Sequence, residues 1–262
     1  MSLFDAHLHL FDARFQSVRA EMERCAQEAN VTACIGCAAF PEEWERTITS
    51  AMQVTRAYGV HPWAASQTTS EHLGRLREVL MCDSAAIVGE IGVDGLRPVT
   101  DGGATQVRVM EAQFSLAAEL GRPVVLHGAC AWNLLFERLV PWVKRVPAVM
   151  IHGASFSVEQ LRHPVFQSRN VWVSIGGAVV NPKAKRIRAL AATIPQERLV
   201  IETDAPDLLP FGGTVLPSSS SSSALNHPGN LPLIAQTVAY LRGCTEDELV
   251  AQTFENACNF LR

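Results

Sequence analysis

The stretch Leu3-Phe-Asp-Ala-His-Leu-His-Leu10 decides the fold of this chain. It is an apolar run that carries His-Leu-His near its end, where a doubly wound nucleotide-binding sheet would carry a glycine-rich turn. Seven more short apolar runs follow, several rich in Val and Ile without polar alternation, as expected for parallel strands buried on both faces. They are Thr32–Ala38, Ala57–Val60, Ala86–Val93, Pro123–His127, Ala148–His152, Val171–Gly176 and Leu199–Thr203. Helical patterns alternate with the runs, which predicts a (β/α)8 TIM barrel.

Several segments between the runs show helical spacing. They include Ser17–Asn30, Thr105–Gly121 and Asn133–Val143, and Thr245 begins a Thr-Glu-Asp-Glu capping box before the last helix. The chain has 262 residues, and single α/β barrels are commonly about this long. We therefore predict one barrel domain that spans residues 1–262.

Composition excludes several classes of protein. Hydrophobic residues make up 48% of the chain, charged residues 18%, and the net charge is −4, so a disordered chain or a strongly basic nucleic-acid binder is excluded. We see no signal segment and no apolar stretch long enough for a membrane span. With seven cysteines, an odd number in a chain of this length, we predict a reduced cytoplasmic protein without a membrane or an obligate protein partner.

A serine-rich loop is predicted at about 210–228. It contains Phe211-Gly-Gly, Pro217 and the six serines 218–223, directly after the eighth run. We favour a flexible insertion. The alternative is a mobile lid, because loops after barrel strands surround the active site.

Six side chains of metal-ligand type end apolar runs. His7 and His9 are two residues apart, so a strand would point both imidazoles to one face. Barrel enzymes carry their catalytic residues at the carboxyl ends of different strands, which meet at one mouth. One histidine so placed is more often structural, but six residues with the same placement indicate a metal site. The candidates are His7, His9, Glu90, His127, His152 and Asp204.

Imidazole and carboxylate ligands suit one or two divalent ions, which we expect to be Zn, Mn, Mg, Fe or Ni. Glu90 could bridge two ions, and Asp204 could be both a ligand and the general base that takes a proton from water. His61 and Asp94 follow the third and fourth runs and are candidates for substrate binding. Glu202 either supports a ligand or is a buried structural carboxylate. We interpret Cys34-Ile-Gly-Cys37 as two buried thiols within a strand.

These motifs resemble the TatD family of metal-dependent deoxyribonucleases, a branch of the amidohydrolase superfamily, over nearly the whole chain. The resemblance implies a TIM barrel, one or two divalent cations and phosphodiester hydrolysis, with the six residues as ligands and His61 facing the substrate. The shared motifs are Asp5-Ala-His-Leu-His9, Tyr58-Gly-Val-His-Pro62, Gly89-Glu-Ile-Gly-Val-Asp94, Leu126-His127, Ile151-His152, Glu202-Thr-Asp-Ala-Pro206, Asn230-Leu-Pro232 and Glu255-Asn-Ala257.

The residues beside these motifs depart from the family pattern. The family usually has Ser-Arg after the histidine that matches His127, Cys-Phe after the one that matches His152, an acidic residue before Pro228, and often aromatic or basic residues after Asp94. The chain has Gly128-Ala129, Gly153-Ala154, His227 and Gly95-Leu96 at these positions. An arginine beside the metals is a natural phosphate contact, so its loss bears on the substrate.

Three hypotheses of function follow. The first is a metal-dependent nuclease or phosphodiesterase that acts on DNA or short oligonucleotides. The second is a metal hydrolase of another ester, a lactone or an amide, which the altered neighbours favour. The third is a non-catalytic descendant that binds a ligand at the barrel mouth, which the intact ligand set argues against.

Overall fold

A computed structural model of the chain describes residues 1–96, 101–216 and 224–262. Eight parallel strands form one sheet in chain order. They are β1 (Leu3–Leu8), β2 (Val31–Ala38), β3 (Gln53–Tyr58), β4 (Ile87–Asp94), β5 (Val124–Ala129), β6 (Val149–Ile151), β7 (Val171–Ile175) and β8 (Leu199–Ile201). Backbone hydrogen bonds from Asp204 N to His7 O (3.0 Å) and from His9 N to Ala205 O (2.9 Å) join the first and last strands. The predicted barrel is confirmed, with a strand in each of the eight runs.

Helices surround the sheet. They are α1 (Arg19–Glu28), α2 (Ser70–Cys82), α3 (Ala104–Leu120), α4 (Trp132–Leu139), α5 (Lys185–Thr193), α6 (Leu231–Arg242) and α7 (Glu246–Phe260). The capping box of α7 is confirmed, because Thr245 Oγ1 accepts from Glu248 N while Glu248 Oε2 accepts from Thr245 N. The predicted helix over Asn133–Val143 ends early, at Leu139, and continues as turns. Within the described ranges, no helix combines the length and the apolar character that a membrane crossing needs.

Two apolar layers hold the barrel together. One lies between strands and helices, and the other fills the barrel interior with residues such as Ile35, Val125 and Met150. Helix α7 closes the N-terminal end of that interior, where Phe260 packs edge-on against Trp172 with ring centroids 5.8 Å apart. This end is therefore filled by packed side chains, and a functional site can form at the opposite end, where the strands have their carboxyl ends.

Side-chain alternation changes at two strands. Phe4 and Ala6 of β1 belong to the interior layer, but the pairing of β1 with β2 shifts between Asp5 and Leu8, and His7 then reaches interior Cys37. The pairing of β4 with β5 shifts likewise between Val88 and Ile91. Such irregularities re-aim side chains beside active sites, and here they lie next to two predicted ligand positions.

The serine-rich segment is described only at its flanks. Leu216 and Leu225 form an antiparallel bridge, and the Asn230 side chain bonds to both Thr214 and Asn226. Residues 217–223, on which the choice between insertion and lid depends, lie outside the described residues.

Candidate active site at the barrel mouth

The structure brings all six predicted ligand residues together at the carboxyl ends of the strands. We call them the floor cluster, because they lie at the bottom of a cavity at the barrel mouth. They are His7, His9, Glu90, His127, His152 and Asp204. Within the part of the chain that is described, groups from this cluster, together with Glu202 and His61, could hold a metal ion.

One half of the floor cluster surrounds the end of β1. His7 Nε2 lies 3.3 Å from His9 Nε2, 3.4 Å from Glu90 Oε2 and 3.5 Å from Asp204 Oδ1. His9 Nε2 lies 3.5 Å from Glu90 Oε2 and 3.3 Å from Asp204 Oδ1. The two imidazole nitrogens therefore lie within 3.5 Å of each other and of both carboxylate oxygens.

The other half involves the second oxygen of the same glutamate. Glu90 Oε1 lies 2.6 Å from His127 Nδ1 and 2.6 Å from His152 Nε2, and these two nitrogens are 3.1 Å apart. Each carboxylate oxygen of Glu90 thus faces its own group of donors.

Glu90 is almost completely buried, and its Oε2 has no hydrogen-bond partner among the described residues. Burial raises the pKa of this carboxyl, but the surrounding histidine charges, that of His152 first, hold the pKa well below its usual range. Two glycines beside Glu90 allow strand β4 to lie closer to β5 than a residue with a Cβ would. A Cβ on Gly89 (φ +155°) would lie 2.7 Å from Val125 Cβ, and one on Gly92 (φ +150°) would lie 2.0 Å from His127 O.

Three floor histidines have partners behind them. The outer nitrogen of His127, Nε2, is 3.2 Å from Asp94 Oδ2, and Nδ1 of His7 is 3.3 Å from Cys37 Sγ. His152 Nδ1 lies 3.4 Å from Glu202 Oε1. A proton on each outer nitrogen leaves the inner nitrogen with a lone pair that faces the cluster, as metal-binding histidines require.

Predicted substrate residue His61 has the opposite arrangement. Its Nδ1 accepts from Trp63 N (3.1 Å), and its Nε2 lies 3.4 Å from Glu90 Oε1. Burial lowers the pKa of His61, so the ring is neutral and the proton is on Nε2. A proton-bearing nitrogen cannot ligate a metal, although His61, Glu90 and His127 are close enough to do so. His61 therefore presents a hydrogen-bond donor to the cavity.

Asp94, the other predicted substrate residue, has protein partners on both oxygens. Oδ1 accepts from Leu96 N (2.7 Å), and Oδ2 accepts from Trp63 Nε1 (2.6 Å) and faces His127. Burial raises the pKa of Asp94, but the hydrogen bond with His127 and the others together hold it well below its usual value. Its carboxylate connects a floor histidine to the cavity wall.

Several contacts and residues near the site were not predicted from the sequence. Cys34 and Cys37 are buried free thiols, as predicted, but the contact of Cys37 with His7 was missed because β2 alone does not indicate its neighbour. Trp63 was also missed, although it directly follows the Gly-Val-His-Pro motif. Arg14, which pairs with Asp12 and Asp207, left no pattern in the sequence.

Most of the altered neighbours of the family motifs line the cavity, whereas Gly95 and His227 do not. Gly128 and Ala129 are at its wall, and a Cβ on Gly128 would lie 2.4 Å from the Trp132 ring of α4. Gly153 adopts φ +54°, and its N–H donates to Glu202 Oε1 at 2.6 Å. These two glycines therefore leave room for the side chains of Trp132 and Glu202 behind the site.

A parallel eight-stranded barrel with a buried histidine–carboxylate cluster at its mouth defines a class of barrel hydrolases with a candidate metal site. The model of the TatD related DNase family matches residues 4–262 of the chain. The chain therefore belongs to this family, and the resemblance seen in the sequence is confirmed.

Similar proteins agree with this assignment. The chain is 32% identical to the 3'-5' ssDNA/RNA exonuclease TatD of Erwinia tasmaniensis over 97% of its own length and 98% of that protein. It is 30% identical to the protein of the same name from Escherichia coli K12, with 97% and 96% covered. The crystal structure of the TatD homologue YjjV from Escherichia coli K12 superimposes with a TM-score of 0.84 at 24% identity, covering 98% of this chain and 97% of that one.

Proposed function

We propose that this protein is a metal-dependent nuclease that removes nucleotides from the 3' end of single-stranded nucleic acid. One observation carries the metal assignment: the two oxygens of Glu90 face two separate groups of donor atoms. The substrate assignment is supported by family membership and by relatives named as 3'-5' ssDNA/RNA exonucleases.

The donor atoms fit divalent ions. Ligand atoms held about 2.1 Å from one ion in a tetrahedron lie about 3.4 Å apart. The Nε2 atoms of His7 and His9 lie 3.3–3.5 Å from each other, from Glu90 Oε2 and from Asp204 Oδ1. Glu90 Oε2 is buried there without a hydrogen-bond partner among the described residues, and such an atom needs a cation. We assign these four residues to one ion, and His127, His152 and the other oxygen of Glu90 to a second.

The chain supplies the remaining functions. Divalent ions, when bound, activate a water molecule and stabilise the negative charge that develops on phosphate oxygens. Asp204 lies beside His9 at the first group of donors, where its carboxylate can take the proton of the attacking water. His61 places its Nε2–H beside Glu90 Oε1, at the second group of donors, and we assign it as a donor to a phosphate oxygen of the substrate. Because most donors are imidazoles, Zn, Mn, Fe or Ni suits the cluster better than Mg.

The proposal is tested with a 5'-labelled single-stranded oligonucleotide and chelator-treated protein reloaded with Mn²⁺ or Zn²⁺. We expect a ladder of products shortened from the 3' end, none with the chelated protein, and cleavage at least about 100-fold slower with Asp204→Asn. A matched panel of carboxylic esters, lactones and amides tests the carbonyl hydrolase hypothesis. Turnover of that panel by metal-loaded protein that leaves oligonucleotides intact contradicts the nuclease proposal.

The cytoplasmic location stays a prediction. All seven cysteines are free thiols in the structure, in keeping with a reducing compartment. Fractionation of the source cells with an antibody against the chain is the direct test, and recovery outside the cytoplasmic fraction would refute it.

A further inference from the structure

The wall of the cavity above the floor cluster is apolar. It carries large hydrophobic side chains that we call the apolar rim. They are Phe40, Trp63, Leu96, Ile187 and Leu208. Three of them are substantially exposed: Trp63 by 44%, Leu208 by 57% and Leu96 by 69%. Large apolar side chains grouped at a concave surface indicate a ligand with an apolar face.

Part of this rim is fixed to the floor cluster. The Asp94 carboxylate accepts from the Trp63 indole N–H and from Leu96 N, and the same carboxylate contacts His127. The Trp63 ring also packs edge-on against His61, with centroids 4.7 Å apart. A rim residue is thus held in a set position relative to the donors at which a phosphodiester would react.

The positively charged side chain that lines the described part of the cavity is already paired with carboxylates. Among the described residues that line the cavity, Arg14 is the only arginine or lysine. Its guanidinium donates to both Asp207 oxygens at 2.8 and 2.7 Å, and to Asp12 at 2.7–3.1 Å. Two carboxylates on one guanidinium leave a local excess of negative charge, which does not favour a trail of backbone phosphates.

The size of the cavity agrees with a small ligand. Its volume is about 370 Å³, near the lower end of the range of about 300–1,000 Å³ for small-molecule sites. This is room for one nucleotide unit.

We propose that the apolar rim binds the nucleobase of the terminal nucleotide, with Trp63 as the principal contact. The protein then selects its substrate by one base and one phosphodiester, rather than by a run of phosphates. This inference rests on the proposed function, because the floor cluster must cleave the bond next to the bound base. Nucleobases stack on aromatic side chains with little dependence on sequence, so the rim accepts each of the bases.

The test compares two single-stranded oligonucleotides of equal length, one with an intact 3'-terminal thymidine and one with an abasic 3'-terminal residue. Metal-loaded protein is expected to cleave the first with a kcat/KM about tenfold higher, the size of a typical stacking contribution. Trp63→Ala is expected to remove most of this ratio and Leu208→Ala part of it. The matched control is Tyr240→Ala, an exposed aromatic residue of α6 that does not line the cavity, and it should keep the full ratio.

A second comparison uses Asp207→Asn, which removes one of the carboxylates that neutralise Arg14. For the unaltered protein we expect KM to depend weakly on salt. The substitution should make log KM steeper in log salt by about 0.7, the value for one added phosphate contact on a single strand. An unaltered protein whose KM already depends steeply on salt contradicts the proposal.

Methyl p-nitrophenyl phosphate distinguishes the nuclease proposal from the rim proposal, because it is a phosphodiester without a nucleobase. If it is hydrolysed while the intact and abasic oligonucleotides are cleaved equally, the rim proposal is wrong and the nuclease proposal stands. If neither it nor the oligonucleotides are hydrolysed by metal-loaded protein, both proposals are wrong.

Discussion

The floor cluster and the apolar rim are two layers of one cavity with opposite physical character. The floor is polar and mostly buried, and three of its four histidines have Asp94, Glu202 or Cys37 behind them. The rim is apolar and partly exposed, and Arg14, the one arginine or lysine among the described residues that line the cavity, is paired with Asp12 and Asp207. The floor residues all belong to family motifs, whereas the departures Gly128-Ala129 and Gly153-Ala154 line the cavity wall. We therefore propose that separate sets of residues carry the reaction and the choice of substrate.

The largest effect is expected from Glu90→Gln, because this side chain serves both halves of the floor cluster. We expect kcat to fall about 1,000-fold, since metal-based stabilisation of the transition state amounts to several kcal/mol, and bound metal to fall at both sites. Steady-state kinetics and elemental analysis measure the two quantities. The exposed Glu42→Gln, on the loop after β2, is the control. Full metal content and activity in Glu90→Gln would show that Glu90 is not needed to bind the metal ions.

A smaller effect is expected from Asp204→Asn. The amide cannot accept a proton from water, so kcat should fall about 100- to 1,000-fold, within the range of general-base contributions. Binding of the second ion, at His127 and His152, should persist. Single-turnover cleavage of the labelled oligonucleotide measures the loss, with the exposed Asp247→Asn as control. A kcat of Asp204→Asn close to that of the unaltered protein would mean that another group is the base.

Glu202→Gln changes a side chain behind the floor cluster and leaves all six proposed ligand residues in place. Glutamine keeps an oxygen for the Gly153 N–H but loses the charge beside His152. We expect metal affinity to fall about 10- to 100-fold, as for other residues that orient metal ligands. Competition with a chelating dye measures the affinity, and Glu197→Gln, exposed in the turn before β8, should leave it unchanged. An unchanged affinity in Glu202→Gln instead makes Glu202 a structural carboxylate only.

The smallest effect on activity is expected from Gly128→Ser, which restores a family-like side chain at the cavity wall. Its Cβ would meet the Trp132 ring at 2.4 Å, so the free energy of unfolding should decrease by about 1–3 kcal/mol, as for other overpacked positions. Activity per folded molecule should change little, because the floor donors do not move. Urea denaturation measures the stability, and Ala129→Ser is the control. A variant of full stability would show that Gly128 is not required by Trp132.

Much of the barrel could be predicted from the sequence because its strands are buried on both faces and read as apolar runs. Strict alternation also predicts the inward positions of most strands. In β6 it leads from Ala148 and Met150 to His152, and in β8 from Val200 to Asp204. The rule fails at β1 and β4, where register shifts re-aim His7 and Glu90. These shifts depend on pairing with neighbouring strands, which a single run does not encode.

The site was predicted in part for a similar physical reason. Its proposed ligands lie at the ends of strands, so their place after apolar runs in the sequence is enough to predict them. Its supporting contacts join distant segments: Cys37 meets His7 across β2 and β1, and Trp63 meets Asp94 across the loops after β3 and β4. The Asp12–Arg14–Asp207 group joins residues 193 positions apart. Only the closed barrel brings such partners together, so the rim could not be predicted from local patterns.

The central claim is that the floor cluster holds two ions with Glu90 between them. The most direct measurement is anomalous diffraction from crystals of the unaltered protein soaked in Mn²⁺. We expect two peaks, one against His7, His9 and Asp204 and one against His127 and His152, with the Glu90 carboxylate between them. One peak remote from Glu90, or none within the floor cluster at saturating Mn²⁺, would contradict it.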